Sequence, residues 1–444
     1  TCPVCMGFPG VLPVLNRRAV EFAVRLGLAS GSEIAAEAEW ARKNYFYPDL
    51  PKGYQISMYE APIAIGGTIE LIVGGEEKRV RLTRIHMEED AGKSIHDAHE
   101  DASVVDLNRA GVPLLEIVTE PDIRSPAEAA EYVRQLRSIL QYLEVCDGNM
   151  EEGSLRCDAN VSLRPAGSGA LGTRTEIKNM NSFRHVEHAL DYEIRRQTEV
   201  LAGGGTVVQE TRLWDAAREV TRSMRSKEFA HDYRYFPDPD LPPLVIDPEW
   251  VEAIRAAMPE LPAARRRRFV TELGLPEYDA GVLTARRDVA DYYEAALRRH
   301  RNPKAISNWV MESVLRLVRE QKLDERLRIE SWPVAAEHLA ALVERIDDGS
   351  ISGKIAKSVF EEMVATRKPP DAIIAEQGLT QVTDAGAIRA AVDRVLAAHA
   401  DKVSEFRGGR EKLFGFFVGQ VMKATQGKAN PQLVNEILRE RLGG

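Results

Sequence analysis

The feature that most constrains the fold is a change of period near residue 250. Before it, short β-like segments divided by glycine pairs alternate with amphipathic helices. Beyond Trp250 the strand signals vanish and apolar residues recur only at helical spacing. Pro237, Pro239, Pro242, Pro243 and Pro248 crowd the boundary, as expected where one folding unit ends. A chain of 444 residues also exceeds one ordinary core. The expected class is α+β, with a mostly antiparallel sheet and flanking helices over 1–257. An all-helical domain over 258–372 and a small helical tail over 373–444 follow.

Composition removes several classes of function. Charged residues at 29% and hydrophobic residues at 44% describe a soluble globular chain, and no run of about 18 apolar residues is present to span a bilayer. The net charge of −9 means that any nucleic-acid contact rests on local basic patches. Four cysteines (Cys2, Cys5, Cys146, Cys157) are too few for a disulfide scaffold and suit a reducing, cytoplasmic setting. The opening TCPVCMGFPG reads like the interior of a domain, so residues are expected upstream of Thr1.

The densest chemistry lies in RIHMEEDAGKS, residues 84–94. It joins an imidazole, three consecutive carboxylates (Glu88, Glu89, Asp90) and Lys93 to a strand in which Val80 and Leu82 alternate with Arg81 and Thr83. Such carboxylates suit Mg²⁺ or Ca²⁺ or form a solvated acidic turn. The segment is no phosphate loop, because Met87 stands where its first glycine would fall. Glu116, inside the apolar run PLLEIV, either faces outward or is paired, since burying it alone costs several kcal/mol. A metal shared with the other acids would pair it.

Upstream, Arg42, Lys43 and Lys52 interleave with Tyr45, Phe46, Tyr47 and Tyr54 around Pro48 and Pro51. Cations mixed with aromatics suit a phosphate plus a stacked base, or aromatics closing a core. Cys2 and Cys5 form half of a zinc-site pattern, or two reduced thiols in a turn. Helices are expected from Asn16 to Ala29, after the Ser125-Pro126-Ala127-Glu128 start, and after Ser182. Asn149 to Pro165 reads as a long strand. There Arg156, Asp158 and Asn160 share one face, Glu151 and Glu152 lie at its mouth, and a second strand over 174–178 places Glu176 and Lys178 together. The basic run Arg265 to Arg268 reads as a solvated helix face. From Asp401 onward eight Lys/Arg stand against five Asp/Glu, a local +3. Lys412, Lys423 and Lys428 there fit a helical module touching a phosphate backbone by charge.

Together these motifs resemble the B-subunit of the aspartyl/glutamyl-tRNA(Asn/Gln) amidotransferase, the GatB/GatE family. The resemblance is carried by FPGVLPVLN (8–16), RKNYFYPDLPKGYQIS (42–57), RIHMEEDAGKS (84–94), VDLNRAGVPLLEIVTEPDIRSP (105–126) and MEEGSLRCDANVSLRP (150–165). EIKNMNSF (176–183), DYRYFPDPDLPPL (232–244) and GKANPQLVN (427–435) extend it. It implies a cradle-like antiparallel sheet domain and a tail that contacts tRNA. It also implies a carbon–nitrogen ligase with glutamine as amido donor. In that chemistry ATP phosphorylates the side-chain carboxylate of Glu-tRNA(Gln) or Asp-tRNA(Asn), and ammonia then displaces phosphate to give the amide. The implied partners are the glutaminase subunit, the small third subunit that ties the two together, the tRNA and the non-discriminating aminoacyl-tRNA synthetase.

By the same resemblance Glu88 and Glu116 are Mg²⁺ ligands, and Glu88, Glu89 and Lys93 are the catalytic candidates. Arg42, Lys43 and Tyr45 face ATP, while Glu151, Arg156, Asp158, Asn160 and Lys178 line the substrate cleft. Cys2 and Cys5 take a structural Zn²⁺, and Lys412, Lys423 and Lys428 meet tRNA. The remaining ligands, a glutamate and a histidine in a G-L-E-V-H segment, are expected before Thr1, as are two further cysteines. Without them the alternative expectation is a catalytically silent tRNA-binding scaffold.

Overall fold

The computed structural model describes residues 2–99, 102–224, 233–320, 332–380, 385–425 and 429–443. They form two compact units, 1–264 and 265–444.

In the first unit the expected helix begins at Asn16, whose side chain accepts from the Arg18 and Ala19 amides, and runs as α1 (Arg17–Ser30). The strands β1 (Glu33–Ile34), β2 (Glu37–Asn44), β3 (Tyr54–Ala61), β4 (Ala64–Ile65), β5 (Thr68–Val73) and β6 (Glu76–Glu89) follow. β5 and β6 form a hairpin across Gly74 and Gly75, both at positive φ (62° and 85°), a two-residue turn that glycine alone enters freely. A separate hairpin, β7 (Lys93–His99) with β8 (Ala102–Asp106), precedes β9 (Pro113–Thr119). The main sheet has nine strands among the described residues, in the order β1-β4-β6-β3-β2 and then a short strand at Phe236–Pro237. β5 and β9 also lie on β6, and Leu244–Val245 lies on β2. Every pairing in it is antiparallel.

β6 carries the decisive irregularity. Val80 and Leu82 are buried in the core, and so are Ile85 and Met87. Even-numbered positions therefore face the core in the first half, odd-numbered ones in the second. The switch falls at a β-bulge, where Leu82 pairs Thr119 and Arg84 pairs Val118, leaving Thr83 as the extra residue. Continued alternation from Leu82 would have carried Arg84, His86 and Glu88 into the core. With the bulge they turn to the opposite face, and α1 and α2 (Pro126–Tyr142) cover the apolar one. Each fully buried Leu, Ile or Met there contributes about 1.5–3 kcal/mol.

Ser125 caps α2 by accepting from the Glu128 amide, with Pro126 at the first position. Glu128 reaches back to the Arg124 amide at 2.7 Å and pairs with Lys78. α3 (Phe183–Ala202) starts at Ser182 as expected. The long strand expected over 149–165 is corrected: only Ala159–Val161 pairs in a ladder. Leu155, Cys157, Ala159 and Val161 do pack on the core, while Arg156, Asp158 and Asn160 are exposed. Alternation thus reported an extended backbone, and most of it lacks a neighbouring strand. The second sheet joins this short strand to Thr175–Lys178, Thr211–Asp215 and Val220–Ser223, and the Thr175–Lys178/Thr211–Asp215 pair is parallel.

In the second unit every described element is a helix. One apolar cluster runs from Phe269 to Ile374 and another from Ile388 to Leu442. The solvated face expected at Arg265–Arg268 is also corrected. Arg265 is buried and pairs with Asp291 (2.6 Å) and Glu294, Arg268 reaches Glu294 at 2.5 Å, and Arg266 reaches Glu277. Guanidinium groups at this spacing join helices when acids face them. No described helix is long and apolar enough to cross a membrane.

Candidate active site

Register assembles the site. On β6, His86 and Glu88 are two residues apart and share a face; across the ladder Glu116 of β9 stands opposite His86, and Ser57 of β3 opposite Glu88. His86 Nε2 lies 3.3 Å from Glu88 Oε1 and 3.6 Å from Glu116 Oε2. His86 is fully buried and the Glu88 side chain is 4% exposed, but that of Glu116 is 50% exposed. The cluster is thus open to solvent on the Glu116 side.

Glu88 is held at both oxygens. Ser57 Oγ donates to Oε1 at 2.7 Å and Gln55 Nε2 to Oε2 at 2.9 Å. Burial pushes its carboxyl up, but the hydrogen bonds from His86 and Ser57 and the charge of Lys43 outweigh it, leaving the pKa below the ordinary glutamate value. Glu88 is therefore an anion at neutral pH. Its neighbours in sequence are used elsewhere. Glu89 accepts from the Ile56 amide at 2.9 Å and pairs with Lys52. Asp90 sits between Arg109 and Arg156, each at 2.8 Å.

Alternation also divides the cation-rich loop. Lys43 pairs with Gln55 and so shares the face of Glu88, and its charge acts on that carboxylate. Tyr45 follows on that side, edge-on to Tyr233 at 6.1 Å, its hydroxyl pushed up to about 12 by burial and the nearby acids Asp49 and Glu88. Arg42 faces the other way. It bridges Asp238 (3.3 Å) and Asp240 (2.7 Å) and covers the Tyr54 ring at 4.2 Å. Asn44 donates to the Tyr233 and Arg234 carbonyls (3.3 and 2.8 Å). The 233–240 loop is thereby tied along β2, and Tyr235 stacks on Tyr59 at 5.1 Å with 16° between planes. Arg84 lies over the Tyr59 ring at 4.4 Å.

Glu88, Glu116 and His86 form the group of potential metal donors among the described residues, all within 4.8 Å of one another. Adjacent ligands of an octahedral Mg²⁺ lie about 3 Å apart, given bonds of about 2.1 Å. The two carboxylates are the hard oxygen donors such an ion takes, and the exposed side of Glu116 leaves places for water or phosphate oxygens. Lys93 is exposed on the β7–β8 hairpin and is not part of this cluster. Of the expected cleft residues, Lys178 joins Asp158 (3.1 Å) and Glu176 (3.4 Å). Arg156 instead serves Asp90, and Glu151 and Asn160 are exposed without entering either group.

A sequence model of the GatB/GatE catalytic domain matches residues 1–252, and one of the GatB domain matches 291–442. The chain belongs to the GatB/GatE family. It is 58% identical over 444 residues to the aspartyl/glutamyl-tRNA(Asn/Gln) amidotransferase B-subunit of Syntrophotalea carbinolica, covering 100% of this chain and 92% of the relative. The corresponding protein of Geotalea daltonii is 58% identical over 447 residues with the same coverage. That of Carboxydothermus hydrogenoformans is 55% identical over 444, covering 99% and 92%.

The family's catalytic-domain match contains the whole carboxylate cluster. Sequence reasoning named Glu88 and Glu116, noted the His86 imidazole without giving it a role, and missed the groups around them: Arg84, Ser57, Gln55, Tyr59 and Tyr235. The available signal was the i, i+2 spacing of Arg84, His86 and Glu88 on one strand. Cys2 and Cys5 form a turn with Sγ atoms 3.4 Å apart, near the roughly 3.8 Å of two thiolates on tetrahedral zinc. Among the described residues no third ligand atom joins them. In the GatB-domain match Lys412 and Lys423 are exposed; Lys428 lies outside the described residues.

Proposed function

We propose that the chain is the carboxylate-activating subunit of a tRNA-dependent amidotransferase. An oxygen of the glutamyl or aspartyl side chain carried by tRNA(Gln) or tRNA(Asn) attacks the γ-phosphorus of ATP, and ADP leaves. Ammonia attacks the acyl carbon and phosphate leaves, giving the amide. The observation that carries this reading is the cross-strand meeting of Glu88 and Glu116 beside Lys43, an acidic pair with a cation on the same face. Mg²⁺ held by Glu88 and Glu116 would neutralise the phosphate charge that a carboxylate nucleophile must approach.

The chain's own groups do the rest. Lys43 draws the phosphates toward the acidic pair, and Tyr45 walls that side. Arg42 holds the 233–240 loop in place through two aspartates, a positioning role that leaves its charge committed. Glu89 and Asp90 fix the end of β6, and the exposed Lys93 is left out of the chemistry. The Lys178–Asp158–Glu176 group offers both charges to the aminoacyl end. Lys412, Lys423 and Lys428 give the tail a phosphate-backbone contact. The glutaminase subunit would supply ammonia from glutamine, with the small third subunit holding the two together and the synthetase handing over the charged tRNA. Cys2 and Cys5 would take part in a structural zinc site.

The test is Glu116→Gln in the reconstituted complex. ATP-dependent amide formation on mischarged tRNA should fall by at least a hundredfold with tRNA binding retained. Undiminished amide formation sinks the assignment.

A further inference from the structure

We infer that His86 serves the acidic pair as a hydrogen-bond donor and is not itself a metal ligand, its tautomer being set by Arg84. Arg84 Nε donates to His86 Nδ1 at 3.4 Å. A guanidinium keeps its protons at any working pH and offers no lone pair, so Nδ1 must accept. A neutral imidazole has one N–H and one lone pair, which places the proton on Nε2. That is the nitrogen facing Glu88 Oε1 at 3.3 Å and Glu116 Oε2 at 3.6 Å.

The polarity is the reverse of an ordinary metal-bound histidine. Such a ring gives its far N–H to a carboxylate or carbonyl and keeps its near lone pair for the metal. Here the group at the far nitrogen is a donor. Arg84 is also hard to displace: its guanidinium lies on the Tyr59 ring at 4.4 Å, and that ring is stacked on Tyr235 at 5.1 Å. His86 itself is fully buried. Its N–H bonds Glu88 Oε1 and faces Glu116 Oε2 from 3.6 Å, just beyond hydrogen-bond reach, so of these three residues only the two carboxylates offer a lone pair to a cation. The inference concerns a positioning residue and rests on Glu88 and Glu116 being the ligands, as proposed above.

Three measurements on the full chain test it. Long-range ¹⁵N–¹H correlation spectra of histidine-labelled protein, with His86→Gln for assignment, should show the His86 proton on Nε2 and a bare Nδ1. A proton on Nδ1 overturns the inference, and this measurement needs no metal. With Mn²⁺ as probe, pulsed EPR should show no nitrogen coupling that disappears in His86→Gln; one that does disappear overturns it as well. His86→Ala should weaken Mn²⁺ binding about ten- to a hundredfold, the usual cost of losing a group that orients a ligand. His86→Gln, which returns an N–H near the Nε2 position, should recover most of that loss. Equal loss in both variants counts against the donor role. If Glu88→Gln and Glu116→Gln leave Mn²⁺ binding unchanged, the ligand assignment falls while the tautomer result stands by itself.

Discussion

Ser57 and Glu88 face each other across the β3–β6 ladder, the serine hydroxyl donating to Glu88 Oε1 at 2.7 Å. Both are buried, so no water replaces a lost partner. Ser57→Ala should cost about 1–3 kcal/mol of stability, the penalty of an under-satisfied buried acceptor, and weaken Mn²⁺ binding about tenfold. Urea unfolding and metal titration of the same variant check both. Intact metal affinity would show that Gln55 and His86 suffice to orient the carboxylate.

Glu116 should behave oppositely. Its side chain is half exposed, so Glu116→Gln is expected to leave stability within about 0.5 kcal/mol of the parent while abolishing amide formation. A large loss of melting temperature in this variant would instead assign Glu116 a structural role.

Arg42 compensates a buried charge, the Asp238 side chain being 0% exposed. Arg42→Ala should destabilise the first unit by about 3 kcal/mol, because an unpaired buried carboxylate remains, and Arg42→Ala/Asp238→Asn should recover part of it. Denaturant midpoints of the two variants decide. A single substitution that weakens only ATP binding would return Arg42 to the nucleotide.

Glu193 sets a pH dependence. Its carboxylate is fully buried, which pushes its pKa up, but it accepts from Arg196 (2.5 Å), Gln197 (3.0 Å) and Thr221 (3.0 Å), and the net shift is downward. The folded pKa thus lies below the unfolded value of about 4.3. The stability it contributes is fully present above about pH 4.3 and is lost as pH falls through the folded value. Unfolding midpoints between pH 7 and 3 should fall less steeply for Glu193→Gln than for the parent; parallel curves would remove this carboxylate from the account.

In the tail, Lys412→Ala and Lys423→Ala should each weaken tRNA binding uniformly and lower the slope of log affinity against log salt by about 1. Unchanged slopes would place the tRNA contact elsewhere on the chain.

Much of this architecture is legible in the sequence, for identifiable reasons. Asn16, Ser125 and Ser182 mark helix starts because a side-chain oxygen there serves free amides. Gly74-Gly75 marks a hairpin because both residues need positive φ. What could not be read was pairing. Alternation over 149–165 was real, but a ladder needs a neighbour and most of that segment has none. Glu116 and His86 lie 30 positions apart, and only register makes them neighbours. The direction of Arg42 likewise depends on Asp238 and Asp240, nearly 200 residues away, while Arg265 found acids that one helix cannot show. Glu88 was singled out by the family resemblance, since the acidic run alone also fitted a solvated turn; its supporting shell is built of ordinary residues.

The extra residue in β6 has a consequence for how this gene can change. Thr83 sets the phase between a strand half that feeds the interior and one that carries the chemistry. Losing that single codon would set Arg84 directly after Leu82 and make the ladder regular, with Ile85 and Met87 still inward and His86 and Glu88 still on the opposite face. Removing a codon at the Gly74-Gly75 tip would disturb only a turn. The bulge is therefore the place where this strand can lose one codon with both faces kept, at the expense of the local kink it gives the ladder.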